Sequence, residues 1–341
     1  MKEVRLIAPY QFQINDVPVP QPGKGEVLLR NLHLGVCASD QQIYHGKHKY
    51  CAMPVVMGHE VSAVVETLGE GVTDFRVGDR VVVEPQLVCG ECYPCSIGRF
   101  NVCEHLKVIG VHTDGCACEY ISVPAWNLHH LPDAVSDFDA SLVEPLAVGY
   151  GSARRAGDLR GANVAVIGAG VIGNFAAQAA KALGAEKVLI SDVVPVKLEA
   201  AERVGIDYAM DASKMSLREG IDKYFGSFRK ADVIIDCAAS AGSFASALEA
   251  ARRSSIVVFT GNYKAPVEFD VPVIQRSEVS LVGHMMYVRE DFADAIRGLA
   301  EGKIRTEGLV RQRFSLDEYE KAFQYADANP ADVIKMVIDI A

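Results

Sequence analysis

The sequence predicts an α/β protein that joins a β-rich domain to a doubly wound domain with a parallel sheet. Residues 1–145 contain short β-like runs interrupted by glycine and proline, for example EVLLRNLHLGV, VSAVVETLG and DRVVVEP. Such runs are typical of an irregular, barrel-like β domain. From about residue 160, short apolar runs alternate with segments of helical periodicity. This alternation indicates parallel strands connected by helices.

The predicted strands of the second half are NVAVIG (163–168), KVLISD (187–192), ADVIIDCA (231–238), SSIVVFTG (254–261) and EVSLVGH (278–284). Helical periodicity is present in NFAAQAAKALGA and in LEAAERVG, which ends at a glycine. We therefore expect a first domain over residues 1–150 and a second domain, built on the parallel sheet, over 151–287. Residues 288–341, with helices in EDFADAIRGLAEGKI and LDEYEKAFQYADA, are expected to return to the first domain.

Composition narrows the classes of function. The chain has 341 residues, of which 50% are hydrophobic and 23% charged, and its formal net charge is −10. These values are ordinary for globular domains, and an acidic chain is a poor match for nucleic acid. The chain contains no run of about 18 uncharged apolar residues, so we expect no membrane span. MKEVRLIAPY lacks the apolar stretch of a signal peptide. We expect a cytoplasmic protein without membrane or nucleic-acid partners.

Four of the nine cysteines lie close together in CGECYPCSIGRFNVC, residues 89–103. Their spacing in a cytoplasmic chain favours metal binding over disulfides. Four thiolates complete the tetrahedral shell of a structural zinc and leave no position open for a substrate. We expect such a zinc to brace a lobe at about residues 86–106, with an empty-thiol or redox role as the alternative. The expected ligands are Cys89, Cys92, Cys95 and Cys103.

A glycine-rich turn follows the first predicted strand of the second domain. VIGAGVIG places Gly168, Gly170 and Gly173 in the pattern G-x-G-x-x-G between a strand and a helix. In this context the pattern predicts a dinucleotide site, in which the glycines permit a tight turn, approach of the pyrophosphate and close packing of helix on strand. The start of the helix, with Val171 and Ile172, offers N–H donors to the phosphates.

Two further residues bear on the choice of nucleotide. Asp192 ends the next predicted strand, where it can accept hydrogen bonds from both ribose hydroxyls and would repel a 2′-phosphate. The sequence therefore predicts NAD rather than NADP. Lys197 lies nearby and is a candidate contact to the adenosine ribose, with a solvated helix lysine as the alternative. For the whole motif, the alternative is a glycine-rich turn with a surface aspartate.

Three segments supply candidate ligands for a second metal: Cys37 in GVCASD, His59 and Glu60 in MGHEVSA, and Glu144 in LVEPLAVG. A catalytic zinc takes three or four nitrogen, sulfur or oxygen ligands and keeps an exchangeable position. Each residue alone has an ordinary explanation, because free cysteine is often buried in a core and a single histidine is usually structural. The residues alone do not decide whether these side chains bind a second metal.

Taken in order, GVCASD, GHE, the four-cysteine segment, DGCACEY, VEPLAVG and VIGAGVIG resemble the zinc-dependent medium-chain alcohol dehydrogenase family. The resemblance covers nearly the whole chain and is strongest to the polyol (sorbitol-type) and sugar-acid dehydrogenase branch. Where the family usually has Gly-Gly-aromatic, this chain has the GCAC of DGCACEY. The resemblance implies a GroES-like catalytic domain, a Rossmann domain, NAD, and one catalytic and one structural zinc per subunit.

The resemblance also implies roles for single residues. Cys37 and His59 would bind the catalytic zinc, with Glu144 as a direct or water-mediated ligand and Glu60 as an exchangeable carboxylate. Asp40 would orient His59 and fix its tautomer. The zinc would act as a Lewis acid on the substrate hydroxyl, and hydride would pass to NAD.

A path for the hydroxyl proton follows from the same resemblance. Ser39 matches the Ser or Thr that takes this proton, and it would be one link of a relay because serine is a poor final base. The next relay position is often a histidine in the family and is Gln42 here. His45 or His48 would replace it, or ribose and water would complete the path; a surface position without a role is the alternative for either histidine.

The substrate pocket departs from the sorbitol-type pattern. The position of its aromatic residue is Ile43, with Tyr44 beside it, and GHMMYVRED has the matching Tyr287 but Met286 in place of arginine. VIGVHTDG and EYISVP resemble the sugar-acid relatives. We therefore expect oxidation at a secondary carbon of a polyol, sugar acid, sugar phosphate or cyclitol. The residues that could meet a carboxylate or phosphate are Lys47, His48, Lys49 and Arg289, with solvated surface side chains as the alternative.

Three other functions are alternatives. An amino-alcohol dehydrogenase of the L-threonine type would use the same site. A zinc-free reductase of the superfamily would not need Cys37, His59 and Glu144, and a zinc-ribbon protein that binds nucleic acid would not need the Rossmann half. The family branch forms dimers or tetramers, commonly through the last Rossmann strand, so we expect a homodimer or homotetramer that pairs through EVSLVGH.

Overall fold

The computed structural model describes residues 1–340, and the chain forms two compact units. One unit comprises residues 1–144 together with the segment that starts at Val310, and the other runs from Pro145 to Leu309. The predicted fold class, a β-rich domain and a parallel-sheet domain, is confirmed. No helix in the described part of the chain has both the length and the apolar character needed to cross a membrane.

The strands are β1 (Lys2–Ala8), β2 (Gln11–Asp16), β3 (Glu26–Val36), β4 (Val55–Val56), β5 (Glu60–Leu68), β6 (Arg80–Val83), β7 (Gln86–Leu87), β8 (Lys107–Val108), β9 (Tyr120–Pro124), β10 (Leu128–His130), β11 (Asn163–Ile167), β12 (Lys187–Asp192), β13 (Tyr208–Asp211), β14 (Val233–Asp236), β15 (Ile256–Phe259), β16 (Ser280–Gly283), β17 (Val310–Ser315) and β18 (Lys335–Asp339). The α-helices are α1 (Ala38–Tyr44), α2 (Tyr93–Ser96), α3 (Asp137–Ala140), α4 (Val143–Arg154), α5 (Val171–Ala182), α6 (Pro195–Arg203), α7 (Leu217–Phe225), α8 (Ala241–Ala250), α9 (Val271–Ser277), α10 (Arg289–Ala300) and α11 (Tyr319–Ala328).

The unit boundaries differ from the predicted domain limits. The sequence places the return to the first domain at residue 288, whereas the structure places it at Val310. Residues 288–309 stay with the second unit because α10 is tied to α4. Arg154 Nε donates to Asp291 Oδ1 at 2.7 Å, and Arg154 also pairs with Asp294. An arginine–carboxylate network between two helices is a long-range contact that local sequence patterns do not reveal.

Three strands of the first unit converge on one point. β3 pairs antiparallel with β5, which sets Gly35 opposite Glu60. β18 pairs antiparallel with the other side of β3, which sets Met336 opposite Val36. The end of β3 therefore meets the start of β5 and the start of β18. Apolar side chains such as Leu34, which is fully buried, hold the strands on a common core.

The second unit contains a six-stranded parallel sheet of order β13-β12-β11-β14-β15-β16. Val164, Ala165 and Val166 in β11 are all fully buried, as expected for a parallel strand covered on both faces. The strand order reverses direction beside β11, and in such sheets ligands bind beyond the carboxyl ends of the strands at the reversal. The predicted glycine-rich turn follows β11 directly.

Candidate active site

Cys37, His59 and Glu60 form one cluster of candidate metal ligands. A sulfur, a ring nitrogen and a carboxylate oxygen from these residues all lie within 4.8 Å of one another. Cys37 directly follows β3, and Glu60 is the first residue of β5, so the pairing of these strands assembles the cluster. His59 and Glu60 are buried, whereas Cys37 is half-buried and accessible. The set of soft, borderline and hard donors fits zinc.

Asp40 lies beside His59. The Cys37 N–H donates to Asp40 Oδ2 at 2.9 Å, and Asp40 Oδ1 lies 3.7 Å from His59 Nδ1. These two facing atoms are buried, and neither makes a hydrogen bond. Because Nδ1 faces Asp40, Nε2 is the ring nitrogen that remains for a metal. This placement is the one expected of a carboxylate that orients a metal-binding histidine.

The charges around the cluster favour a bound cation. Burial lowers the pKa of His59, but Asp40, Cys37 and Glu144 outweigh it and hold the pKa well above its ordinary value. Burial raises the pKa of Asp40, against the opposing effect of His59. The acidic groups therefore retain a proton on His59. A metal ion would displace this proton, since a coordinating imidazole must be neutral.

Glu144 lies outside the cluster of donor atoms. It is in the first turn of α4 and is 7% exposed. Its charge raises the pKa of both His59 and Lys335, so it is a neighbour of the site. The carboxylate whose oxygen lies within 4.8 Å of the Cys37 and His59 donor atoms is that of Glu60. A role for Glu144 as a ligand stays a prediction.

A buried lysine that sequence reasoning missed completes the site. Lys335 Nζ pairs with the Glu60 carboxylate and donates to the Val36 carbonyl oxygen at 2.9 Å. Both paired side chains are 1% exposed. Burial alone would lower the pKa of Lys335, but Glu60 and its neighbours raise it above the ordinary value, so the ammonium stays charged. The sequence feature that could have revealed this residue is a single lysine inside the apolar run DVIKMVIDI.

The residues expected in the proton path lie in α1 or just after it. Ser39 and Gln42 are half-buried in α1. His45 Nε2 is 2.9 Å from Asp327 Oδ1, so this histidine already has a carboxylate partner. Burial, with His112 and His59 nearby, lowers the pKa of His48. The contribution of His59 to this shift indicates that the His48 ring lies near the candidate metal site.

The structure places Tyr44 and Tyr287 in packed cores, and their expected role in a substrate pocket stays a prediction. Tyr44 is 3% exposed, and its ring stacks on Phe12 with a centroid distance of 5.4 Å. Tyr287 is 1% exposed and packs edge-on against Phe292, also at 5.4 Å. Each ring fills an aromatic cluster of its own unit, because burial of a large ring is more favourable than exposure.

The four cysteines of the lobe come together as predicted. The sulfur atoms of Cys89, Cys92, Cys95 and Cys103 all lie within 4.8 Å of one another. The Cys103 sulfur is 3.8 Å from that of Cys92 and 3.5 Å from that of Cys89. Zinc–sulfur bonds of about 2.3 Å place tetrahedral sulfur ligands about 3.8 Å apart, so the cluster matches a structural zinc. The N–H of Glu104 lowers the pKa of Cys92 to about 7, which favours the thiolate.

The glycine-rich turn has the backbone that the motif requires. Gly168 has φ +94°, a conformation that favours glycine. A Cβ on Gly173 would lie 1.8 Å from the Gly168 carbonyl oxygen, whereas a Cβ on Gly170 would meet nothing within 4 Å. Gly170 caps α5, and its open side leaves room for a phosphate. Val171 and Ile172 form the half-buried first turn of α5.

Asp192 stands at the end of β12, as predicted, and it also supports the turn. Its Oδ2 accepts a hydrogen bond from the Ala169 N–H at 2.7 Å. Its Oδ1 accepts from the Val193 and Val194 N–H groups at 2.8 and 2.9 Å. A carboxylate has further lone pairs for ribose hydroxyls. Lys197 is half-buried in the first turn of α6.

A Rossmann unit and a β-rich unit with a cysteine–histidine–carboxylate cluster define the general class of zinc-type dehydrogenases. Two family models match the chain: the alcohol dehydrogenase GroES-like domain over residues 23–133 and the zinc-binding dehydrogenase over residues 171–301. The chain belongs to the zinc-binding alcohol dehydrogenase family, and it is an oxidoreductase of that family. The resemblance found in the sequence is confirmed.

Three curated relatives show the range of substrates among similar proteins. A sorbitol dehydrogenase from Halalkalibacterium halodurans is 34% identical, with 92% of this chain and 91% of the relative covered. L-Galactonate-5-dehydrogenase from Escherichia coli K12 is 33% identical, with 94% and 93% covered. An L-threonine 3-dehydrogenase from Mesorhizobium japonicum is 31% identical, with 91% and 90% covered. The first two agree with the polyol and sugar-acid branch.

Two solved structures are similar over almost the full length. An enzyme from E. coli CFT073, described as a short-chain alcohol dehydrogenase and complexed with NADH, has a TM-score of 0.92 and 33% identity, with 100% of this chain and 99% of that chain covered. A zinc-binding dehydrogenase from Sinorhizobium meliloti 1021 bound to NADP has a TM-score of 0.92 and 30% identity, with 99% of each chain covered. The neighbours therefore include proteins bound to either nucleotide.

Proposed function

We propose that this protein is a zinc-dependent, NAD-linked dehydrogenase that oxidises a secondary hydroxyl of a small polyhydroxylated substrate to the ketone, reversibly. The single observation that carries the proposal is the cluster of Cys37, His59 and Glu60, whose donor atoms lie within 4.8 Å of one another. The relatives named sorbitol dehydrogenase and L-galactonate-5-dehydrogenase support the substrate class.

In this proposal Cys37 and His59 hold the catalytic metal, and Glu60 and Glu144 are the carboxylates available to complete its shell. Zinc, when bound, supplies a Lewis acid that lowers the pKa of a substrate hydroxyl. Asp40 fixes the orientation of His59 through the facing pair of Oδ1 and Nδ1. Lys335 neutralises Glu60 and keeps its carboxylate in place.

Ser39 is proposed to accept the proton of the substrate hydroxyl. A hydroxyl can only pass the proton onward, and the next family position, Gln42, does not titrate. His45 is held by Asp327. His48 is therefore the candidate histidine for the next link, with the ribose and water as the other route.

The second unit is proposed to bind NAD at the turn formed by Gly168, Gly170 and Gly173, with the phosphates at the start of α5. Asp192 is proposed to hold the ribose hydroxyls and to exclude a 2′-phosphate. Lys197 lies in the following turn, where its ammonium would reach the ribose.

Replacement of Asp192 by asparagine tests the choice of nucleotide. Asparagine keeps an acceptor for the backbone N–H groups but removes the charge, so the ratio of kcat/KM for NAD to that for NADP should fall by at least about tenfold, since charge pairs of this kind contribute more than about 1 kcal/mol. Asp211→Asn is the matched control, because Asp211 lies opposite Asp192 at the end of the adjacent strand β13. An unchanged ratio in D192N would remove Asp192 as the selector.

The lobe of residues 86–106 is proposed to hold a structural zinc through its four cysteines. Cys92→Ser should lower the zinc content by one equivalent and increase hydrogen exchange across the lobe, because little apolar core supports it without metal. Cys51→Ser is the control, since Cys51 is half-buried and belongs to neither cluster. Retention of both the zinc and the exchange protection in C92S would contradict the structural role.

A second candidate is the oxidation of an amino alcohol of the L-threonine type. The 31% identity to an L-threonine 3-dehydrogenase favours it, and the same metal cluster would serve the reaction. NADH formation measured across polyols, sugar acids, sugar phosphates, cyclitols and L-threonine distinguishes the two. Oxidation of none of these by the zinc-loaded protein would refute both.

The assembly and location are also proposals. Strand β16 is at the edge of the second unit's sheet, and Phe269, Val271 and Val273 nearby in the chain are exposed. These features support a homodimer or homotetramer that pairs through β16.

The nine cysteines are all free, which supports a reducing compartment such as the cytoplasm. A small-molecule substrate, without nucleic-acid or membrane partners, agrees with the acidic chain.

A further inference from the structure

Four side chains near the candidate metal site have no role in the proposed reaction beyond a proton link through His48. The ring of Tyr50 lies 27° from parallel to that of His112, with a centroid distance of 6.4 Å. Lys49 Nζ lies 5.4 Å from the Tyr50 centroid, within cation–π range. The His48 ring lies edge-on to Tyr50 at 6.3 Å. Tyr50 thus gathers three basic groups, and we refer to His48, Lys49, Tyr50 and His112 as the basic cluster.

Both segments that carry the basic cluster are anchored at the candidate metal site. One continues from α1, which begins directly after Cys37. The other packs on the backbone next to His59: the Cys116 N–H donates to the Gly58 carbonyl oxygen at 2.9 Å, and a Cβ on Gly110 would lie 2.3 Å from the same oxygen. The basic cluster is therefore connected to the ligand cluster by short segments of chain.

The basic cluster has no carboxylate partner within residues 1–340. Lys47, Lys49, His48 and His112 make no ion pair there, whereas the neighbouring His45 is paired with Asp327 at 2.9 Å. The chain as a whole carries a net charge of −10, whereas these basic residues lie together beside the site without an acidic partner. Such a group attracts an anion, because the Coulomb energy between opposite charges is favourable.

The hydrogen-bonding groups of the basic cluster suit an oxyanion. The Val108 N–H donates to His112 Nδ1 at 3.0 Å, so the neutral ring carries its proton on Nε2 and can donate outward. Burial, with His112 and His59 nearby, lowers the pKa of His48, and Lys49 contributes an ammonium group to the cluster. One ammonium beside N–H donors matches a carboxylate or a phosphate.

We propose that the basic cluster binds the anionic end of the substrate, so that the substrate is an acidic polyol, either a sugar acid or a sugar phosphate. The proposal rests on the proposed dehydrogenase function and selects among its substrates. The substrate hydroxyl meets the cluster of Cys37, His59 and Glu60, and the terminal oxyanion meets Lys49 and His112. Neutral polyols and cyclitols lack the group that these two residues recognise.

The test uses the zinc-loaded protein with NAD and matched sets of a neutral hexitol, the hexonate and the hexitol phosphate, across sugar stereoisomers. Lys49→Met keeps the side-chain stem over Tyr50 and removes the charge. His112→Asn keeps an acceptor for the Val108 N–H and removes the outward donor. Lys24→Met is the control, because Lys24 is 79% exposed. Activity on the hexonate or on the phosphate identifies which oxyanion is the natural one.

The wild-type protein should favour an anionic member of a set over the neutral hexitol. Lys49→Met and His112→Asn should each raise KM for that anion about 10- to 100-fold with a much smaller change in kcat, whereas their effect on the neutral hexitol should be far smaller. A wild-type preference for neutral hexitols, or equal losses on both substrates, would overturn the proposal and leave the dehydrogenase function standing. Absence of activity on every compound of these sets would also overturn the proposal, and failure to oxidise other polyols and cyclitols as well would refute the proposed function itself.

Discussion

Cys37→Ser should lower kcat by at least about 100-fold while NAD affinity stays within about twofold of the wild type. Replacement of a group that merely orients a metal ligand costs about 10- to 100-fold in metal affinity or activity, so loss of a ligand should cost no less. NAD binding should persist because Gly168, Gly170, Gly173 and Asp192 belong to the other unit. Steady-state kinetics and a calorimetric titration with NAD measure the two effects separately.

Cys51→Ser is the matched control for this prediction. Cys51 is half-buried like Cys37, but it lies outside both groups of candidate ligands. The control should keep nearly full turnover. Turnover by C37S at the wild-type rate would eliminate the cluster of Cys37, His59 and Glu60 as the catalytic metal site. A loss of NAD affinity in C37S would instead indicate a general failure to fold.

Lys335→Met should strongly destabilise the first unit. Methionine keeps the apolar stem but leaves the buried Glu60 carboxylate without its ammonium partner. Removal of one member of a buried ion pair costs about 3–5 kcal/mol because the other charge is left uncompensated. Both side chains are 1% exposed, so water cannot replace the lost partner. Urea unfolding of the whole protein, with hydrogen exchange as the probe of the first unit, measures the loss of unfolding free energy.

The control is Lys321→Met, which removes a lysine from an exposed pair with Glu318. That pair has a 3.1 Å separation, and its side chains are 67% and 43% exposed, so its loss should leave the free energy of unfolding nearly unchanged. Glu60→Gln in the Lys335→Met background should recover part of the stability, since it removes the orphaned charge. Equal stability of K335M and K321M would show that Lys335 does not compensate Glu60.

The parts of the site that local sequence patterns encode were predictable. The four cysteines between residues 89 and 103 meet because short turns join them, and the glycine-rich turn is defined by neighbours along the chain. Gly168 needs its positive φ and Gly173 its lack of a side chain within a single strand–turn–helix unit. Short-range geometry of this kind leaves a direct signature in the sequence.

The parts that depend on strand register could not be read from the sequence. Lys335 reaches Glu60 only because β18 pairs with β3 and sets Met336 opposite Val36. A lysine in an apolar strand gives no indication of its partner when the pairing strand is far away in the chain. The distinction between Glu60 and Glu144 as the nearer carboxylate has the same origin, since it depends on how β5 and α4 approach Cys37.

The ring contacts of Tyr44 also depend on tertiary packing that the local motif does not encode. Tyr44 stands beside the family's pocket position, but α1 turns its ring towards Phe12 and Phe323, with centroid distances of 5.4 and 5.1 Å. Phe323 belongs to α11, near the end of the chain. The same return of the C-terminal segment that supplies Lys335 therefore also buries Tyr44. Only the folded arrangement could show that these two effects share one cause.

Turnover is expected to depend on a metal held by Cys37 and His59. Zinc content and turnover, measured together on the wild type, C37S and C51S, test this dependence most directly. We expect about two equivalents of zinc per chain in the wild type and C51S. In C37S we expect about one, with loss of NADH formation and retained NAD binding. Full turnover in a C37S protein that contains only the lobe zinc would contradict the assignment of the catalytic metal to Cys37 and His59.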